Sequence, residues 1–293
     1  MKKKYKYLTL LVIVTLILSA CSNKKSLYSD EGQVFRKIIT QDITTLDTAL
    51  ITDAVSSDVA GQTFEGLYSI DKNDKVTLGV AKETPQKSNG GKTLTINLRK
   101  DAKWSNGDPV TAHDFVYAWR KVVDPKTASE FAYIMSDIKN ADLVNTGKKP
   151  VNSLGIKALN KYKLQIDLER PVPYINELLA LSTFYPQDAK IAKKYDKKYG
   201  TNAERAVYNG PFKVTNWQVE DKIQLVKNNQ YWDKKNVKLD KVNYKVLKDQ
   251  QAGASLYDTN SIDDTIITSE QVDKYKGSKE LNYRDRKSTR LNS

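Results

Sequence analysis

The stretch from Leu94 to Phe115, LTINLRKDAKWSNGDPVTAHDF, carries a strand, a turn and a helix start in immediate succession. Thr93-Leu94-Thr95-Ile96-Asn97-Leu98 alternates polar and apolar residues with period two, which predicts a half-buried strand. Gly107-Asp108-Pro109 is a turn composition, because glycine is free to take positive φ and proline fixes φ nearby. Thr111 followed by Asp114 three positions on reads as a helix N-terminus with a capping box. From Ala112 to Val123 the residues Phe115, Val116, Trp119 and Val122 share one face, and Asp124-Pro125 ends the helix. Trp104 supplies a large apolar surface for packing the strand against that helix. Asn89-Gly90-Gly91, just upstream, is a turn joining the strand to an earlier one.

Outward from this unit both kinds of element recur. Tyr162–Leu168, Ile223–Leu225 and Val242–Val246 repeat the strand pattern, and Asn209-Gly210-Pro211 is a turn into a strand over Phe212 to Val214. Helices are predicted at Tyr174–Leu181 and at Asp188–Tyr199, the latter closed by Gly200. The expectation is a mixed α+β chain of more than one lobe, since its length exceeds the usual span of a single core.

The N-terminus has a different character. Met1-Lys2-Lys3-Lys4-Tyr5-Lys6 is a basic head, Tyr7 to Leu18 is almost wholly apolar, and Ser19-Ala20 are small. That order is a secretory signal peptide over residues 1–20, too short for a membrane span of roughly 20 apolar residues. Cys21 follows at once and is the only cysteine of the 293 residues. Leu18-Ser19-Ala20-Cys21 resembles the bacterial lipobox, which implies lipidation of Cys21, anchoring by acyl chains and an extracytoplasmic location. Residues 21–33 then form the lipidated N-terminus and a linker off the membrane.

Composition narrows the function classes. The formal charge is +13, and removing Lys2, Lys3, Lys4 and Lys6 with the signal peptide leaves +9. The lysines are interleaved with acids, and the densest run, Lys190 to Lys198, sits at helical spacing opposite Ile191 and Tyr195. A solvated helix face explains it better than a nucleic-acid stripe. One cysteine allows neither a disulfide nor a thiolate zinc site. The single histidine, His113, falls in the first turn of the helix after Thr111 and reads as solvated. No nucleophile elbow or P-loop occurs, so neither catalytic residues nor a cofactor is expected.

Four stretches together carry a family resemblance. They are Thr45-Leu46-Asp47-Thr48-Ala49 with Thr63-Phe64-Glu65-Gly66-Leu67-Tyr68; the Leu94–Phe115 unit; Asn209-Gly210-Pro211-Phe212-Lys213 with Trp217; and Asn228-Asn229-Gln230-Tyr231-Trp232-Asp233 with Leu256-Tyr257 and Ile262-Asp263. In this order they resemble the family 5 extracellular solute-binding proteins, the oligopeptide-binding lipoproteins of ABC transporters. The resemblance implies a periplasmic-binding-protein-like multi-lobe fold with mixed sheets. Residues 34–64 and 187–283 would form a discontinuous lobe I and residues 65–186 lobe II. The third lobe would be largely missing, the chain being C-terminally truncated. Residues 284–293, with four basic residues and no apolar periodicity, read as an unstructured or foreign tail.

The resemblance also implies a receptor that captures extended oligopeptides by backbone pairing and lobe closure and passes them to ABC transporter permease subunits. It would be a monomer tied to the cell membrane by its lipid, in a bacterium without an outer membrane. Flanking motifs carry the ligand-binding role onto Thr52, Asp53 and Ala54, onto Phe131 on the second lobe, and onto Ile266, Ile267 and Thr268 as a strand at the hinge. Thr48 departs from the family's proline after Leu-Asp, and Asp258-Thr259-Asn260-Ser261 from its usual Gly-Glu. Open alternatives are the same scaffold with another cargo (a pheromone, a dipeptide or a metal chelate), an envelope-anchored carboxylate hydrolase, and a structural lipoprotein.

Overall fold

A computed structural model describes residues 32–249 and 251–282. The signal peptide, Cys21, most of the linker and the tail from residue 284 lie outside the described residues.

Two four-stranded sheets organise the chain. The first contains β1 (Val34–Ile39), β8 (Phe212–Gln218), β9 (Lys222–Lys227) and β10 (Lys241–Val246) in the order β1-β10-β9-β8. β1 lies parallel to β10, with Val34 opposite Lys241 and Ile39 opposite Val246. β10, β9 and β8 are antiparallel neighbours, with an irregularity between Val214 and Asn216. The inner strand β10 buries Val242, Asn243, Tyr244 and Val246, as a strand covered on both faces should. The second sheet is antiparallel, in the order β4 (Gln86–Ser88), β5 (Thr93–Asn97), β7 (Lys163–Asp167), β6 (Ile156–Asn160). A small hairpin pairs β2 (Tyr68–Ile70) with β3 (Val76–Leu78).

The Leu94–Phe115 unit forms as its residues predict. In β5, Leu94 and Ile96 are buried and their neighbours are not. The β4–β5 connection passes through Gly90 and Gly91 at φ +61° and +84°, which β-carbon-bearing residues adopt at a cost. Trp104 N donates to the Asp108 carbonyl at 2.8 Å around the Gly107 turn. The helix runs from Ala112 to Val123 with Thr111 and Asp114 in a reciprocal capping box. It buries Phe115, Trp119 and Val122, with Trp119 edge-on to Phe184 and its Nε1 donating to the Phe184 carbonyl at 2.9 Å.

Side chains from both large sheets join one continuous core, from Leu94 and Ile96 on β5 to Ile223 and Leu225 on β9.

Two helices are shorter than their sequences suggest. The first is helical only over Ile175–Leu178, because Leu181 turns extended and delivers Phe184 beneath Trp119. The second spans Ala189–Tyr195, capped by the Asp188 carboxylate, and breaks at Asp196 with φ +47° before a 3₁₀ turn, Asp196–Lys198. The segment Ile266–Thr268 is not a strand. Only Asp264 bridges to Lys37 of β1, and at Thr268 the chain turns into a capping box with Gln271.

Candidate functional site

The short motifs that stand far apart in the chain meet in two buried polar nodes. The first begins where the helix Ala54–Thr63 ends. Phe64 leaves the helical conformation, and Glu65, flanked by apolar residues, is carried inside with 6% of its surface exposed. Its carboxylate accepts from Tyr231 Oη at 2.5 Å and Trp232 Nε1 at 2.7 Å. The Arg99 guanidinium stacks 3.1 Å above the Trp232 ring, and its Nε donates to the Gly79 carbonyl. The Glu65 backbone is held by Asn209, whose side chain accepts from Glu65 N at 3.0 Å and donates to Glu65 O at 2.8 Å. A Cβ on Gly210 would lie 2.7 Å from the Thr63 carbonyl carbon, so this contact requires glycine. Burial pushes the Glu65 carboxyl up to about 7, against the lowering pull of Tyr231, Trp232 and Arg99.

The second node is built on Asp47, nearly inaccessible in the Leu46-Asp47 turn. Lys121 Nζ, from the helix Ala112–Val123, reaches Asp47 Oδ2 at 2.6 Å, and Gln187 Nε2 donates to Asp47 Oδ1 at 2.8 Å. Gln187 Nε2 also donates to Thr48 Oγ1 at 2.9 Å, so threonine at the position of the family's proline gains a partner. Gly200, at φ +70°, lets its carbonyl accept from Leu46 N. Both nodes fasten segments together; Glu65 does so in the interior, while Asp47 and Lys121 also line an open concavity beside the helix Ala112–Val123. The motifs that carry the family resemblance are therefore scaffold.

The residues expected to face a ligand lie elsewhere. Thr52 and Ala54 are exposed. Asp53 is the N-cap of the helix Ala54–Thr63, with its carboxylate accepting from Ser56 N at 2.7 Å, Thr44 Oγ1 at 2.8 Å and Gln41 Nε2 at 3.3 Å. Desolvation would raise its pKa, but these bonds outweigh it and hold the carboxyl below its ordinary value. Its local role is thus structural, whatever else it contacts. Ile266 is 67% exposed, and Ile267 and Thr268 are half-buried. Lys37 Nζ stands 3.7 Å from Asp58 and 3.9 Å from Asp264, so β1 ties the helix after Asp53 to the segment before Ile266. These two candidate groups therefore flank the same strand. Phe131 is half-buried with its ring edge-on to Tyr133 at 6.1 Å. Among the described residues no hydrogen bond, ion pair or ring contact joins Phe131 to either of the other groups. No group of three His, Cys, Asp or Glu among the described residues is placed to hold a metal.

Sequence reasoning missed Glu65, Lys121, Gln187 and Arg99 as organising residues. For Glu65 a signal existed: an acid inside Phe64-Glu65-Gly66-Leu67 is out of place unless it is paired in the interior.

Comparisons with known proteins agree with this architecture. The family described as "Bacterial extracellular solute-binding proteins, family 5 Middle" matches residues 75–293. A dipeptide-binding protein of Lactococcus lactis is 38% identical over 264 residues, covering 89% of this chain and 47% of the relative. The oligopeptide-binding protein OppA of Bacillus subtilis is 40% identical over 271 residues, covering 90% and 49%. The substrate-binding domain of an oligopeptide ABC transporter from Bacillus anthracis superposes with a TM-score of 0.82 at 48% identity, covering 85% of this chain and 49% of that one. Peptide-bound OppA of Listeria monocytogenes gives 0.81 at 40% identity, covering 85% and 49%. The chain spans about half the length of the relatives it matches.

Proposed function

This chain belongs to the bacterial extracellular solute-binding proteins of family 5, and on that premise we propose that it is part of the peptide receptor of an ABC importer. Its fold is the mixed α+β, periplasmic-binding-protein-like one. Residues 34–64 and 187–283 form one lobe and residues 65–186 a second, with peptide held against their open face. Cys21 carries the lipid that keeps the receptor at the outer face of the cell membrane, beside its permease.

The observation that carries the reading is the edge of the first sheet. Among the described residues β1 has β10 on one side and no second strand on the other, where Asp264 bridges to Lys37 and Asp263 donates its N–H to the Arg36 carbonyl at 2.8 Å and accepts from Arg36 N at 2.7 Å through its carboxylate. The segment after that bridge, through Ile266 and Ile267, lies outside any helix or ladder and exposes Ile266. An extended peptide can add its main chain to such an edge, gaining affinity from backbone hydrogen bonds and little from side-chain identity. Each bond formed on lobe closure replaces one to water and nets about 0.5–1.5 kcal/mol. Lys37 of this edge strand pairs with Asp58, one helical turn on from Ala54, and Phe131 with the exposed Tyr133 offers an aromatic surface from the second lobe. The reaction is capture and release without chemistry on the peptide.

Calorimetry with peptides of two to eight residues, on a protein carrying this chain and the remainder of the family's length, tests the reading. Binding that depends on peptide length but tolerates changes of side chain, with the peptides recovered intact, is expected. Indifference to every peptide, or recovery of cleaved fragments, overturns it.

A further inference from the structure

An open concavity of about 850 Å³ lies between the helix Ala112–Val123 and the helix Ala189–Tyr195. Its apolar lining comes from Leu50, Val116, Val151 and the ring of Tyr117. Its rim is cationic, with Arg120, Lys126, Lys193 and Lys197. None of these four forms an ion pair among the described residues, whereas Lys121, deeper in, is consumed by Asp47. Arg120 is half-buried, donates from one terminal nitrogen to the Asn152 carbonyl, and leaves its buried Nε without a partner among the described residues. Lys193 Nζ lies 5.5 Å over the Tyr117 ring. Two aspartates, Asp124 and Asp196, interrupt the cationic rim.

We propose that this groove docks an acidic, partly apolar peptide segment of a partner protein, separate from any transported cargo. Four unpaired cations facing two aspartates give the groove a positive field, and partial desolvation strengthens attraction to an incoming carboxylate. The apolar lining selects against a uniformly charged polyanion, which would leave it uncovered. A short segment alternating carboxylates with leucine-sized side chains satisfies both. The groove's charge has no part in backbone-directed cargo binding, so the two sites are separable.

The test is fluorescence anisotropy of a labelled 12-residue Glu/Leu peptide with the full chain, beside a Lys/Leu peptide of the same length. The acidic peptide is expected to bind and the basic one not, with affinity falling as salt is raised. Lys193→Glu with Lys197→Glu should weaken binding at least tenfold, and the neutral pair Lys193→Gln with Lys197→Gln should fall between. Both residues are exposed, so folding is retained and circular dichroism verifies it. Excess short peptide cargo and the Asp53→Asn variant should leave the signal unchanged. Absence of binding, equal binding by the charge-reversed variant, displacement by cargo, or binding to polyphosphate or anionic vesicles in preference to the peptide would each overturn the proposal.

Discussion

Glu65→Gln sets burial against hydrogen bonding at the point where three distant motifs meet. With 6% of its surface exposed, Glu65 titrates at about 7 rather than at its ordinary 4.5. A raised carboxyl pKa means that the folded chain holds the proton more tightly than the unfolded one. Its stabilising contribution is therefore complete below about pH 4.5 and lost as pH rises through about 7. The full shift corresponds to about 3 kcal/mol. At pH 5 the protonated acid and the amide are both neutral, and each can accept from Trp232 Nε1 and donate to Tyr231 Oη, so the variant should be nearly as stable as the parent. At pH 8 the parent carries a buried charge that the variant lacks. The variant should then gain up to about 3 kcal/mol relative to the parent. Urea unfolding of both proteins at pH 5, 6, 7 and 8, compared by midpoint and slope, measures the difference directly. A variant that loses stability relative to the parent as pH rises would refute the reasoning. It would mean that Tyr231, Trp232 and Arg99 together stabilise the charge by more than burial opposes it.

Gly200→Ala should destabilise by roughly 3 kcal/mol or more, because its Cβ would lie 2.3 Å from Asp47 N at φ +70°. Gly147→Ala, at φ +71° with open space around it, should lose only the conformational cost of about 1–2 kcal/mol, and thermal unfolding of the pair separates clash from strain. Asp47→Ala should cost about 3–5 kcal/mol by stranding Lys121, and adding Lys121→Met should recover part of that loss in a double-mutant cycle. Asp53→Ala should lose about 1 kcal/mol of helix capping, whereas Asp53→Asn should retain the cap. Because the Asp53 pKa is lowered in the fold, its contribution is present above the ordinary carboxylate range and lost as pH falls through the folded value. Acid unfolding of Asp53→Asn should therefore be shallower than that of the parent.

What could be read from the residues alone was whatever depends on near neighbours. The period-two run at Thr93–Leu98, the capping box at Thr111 and Asp114, and the stop at Asp124-Pro125 involve partners two to four residues apart, and each sits where its pattern put it. The breaks that shortened the other two helices were not visible, because burial of Phe184 against Trp119 and the turn at Asp196 answer to distant packing. β6 escaped notice for a related reason: it is an edge strand with only Ile156 buried, so it carries no alternation.

The sequence by itself determined the elements whose signals lie within a few residues and, through its spaced motifs, the family. Tertiary structure alone decided that β1 pairs in parallel with a strand some 200 residues on, and that Glu65 meets Tyr231 and Trp232 at separations of 166 and 167 residues. It also brought four cations, none of them ion-paired among the described residues, around one concavity with Leu50, Val116 and Val151. Residue type announces that a carboxylate or a cation needs a partner. Which partner it finds is fixed only when the chain folds and closes those long loops, since no short-range pattern encodes that choice.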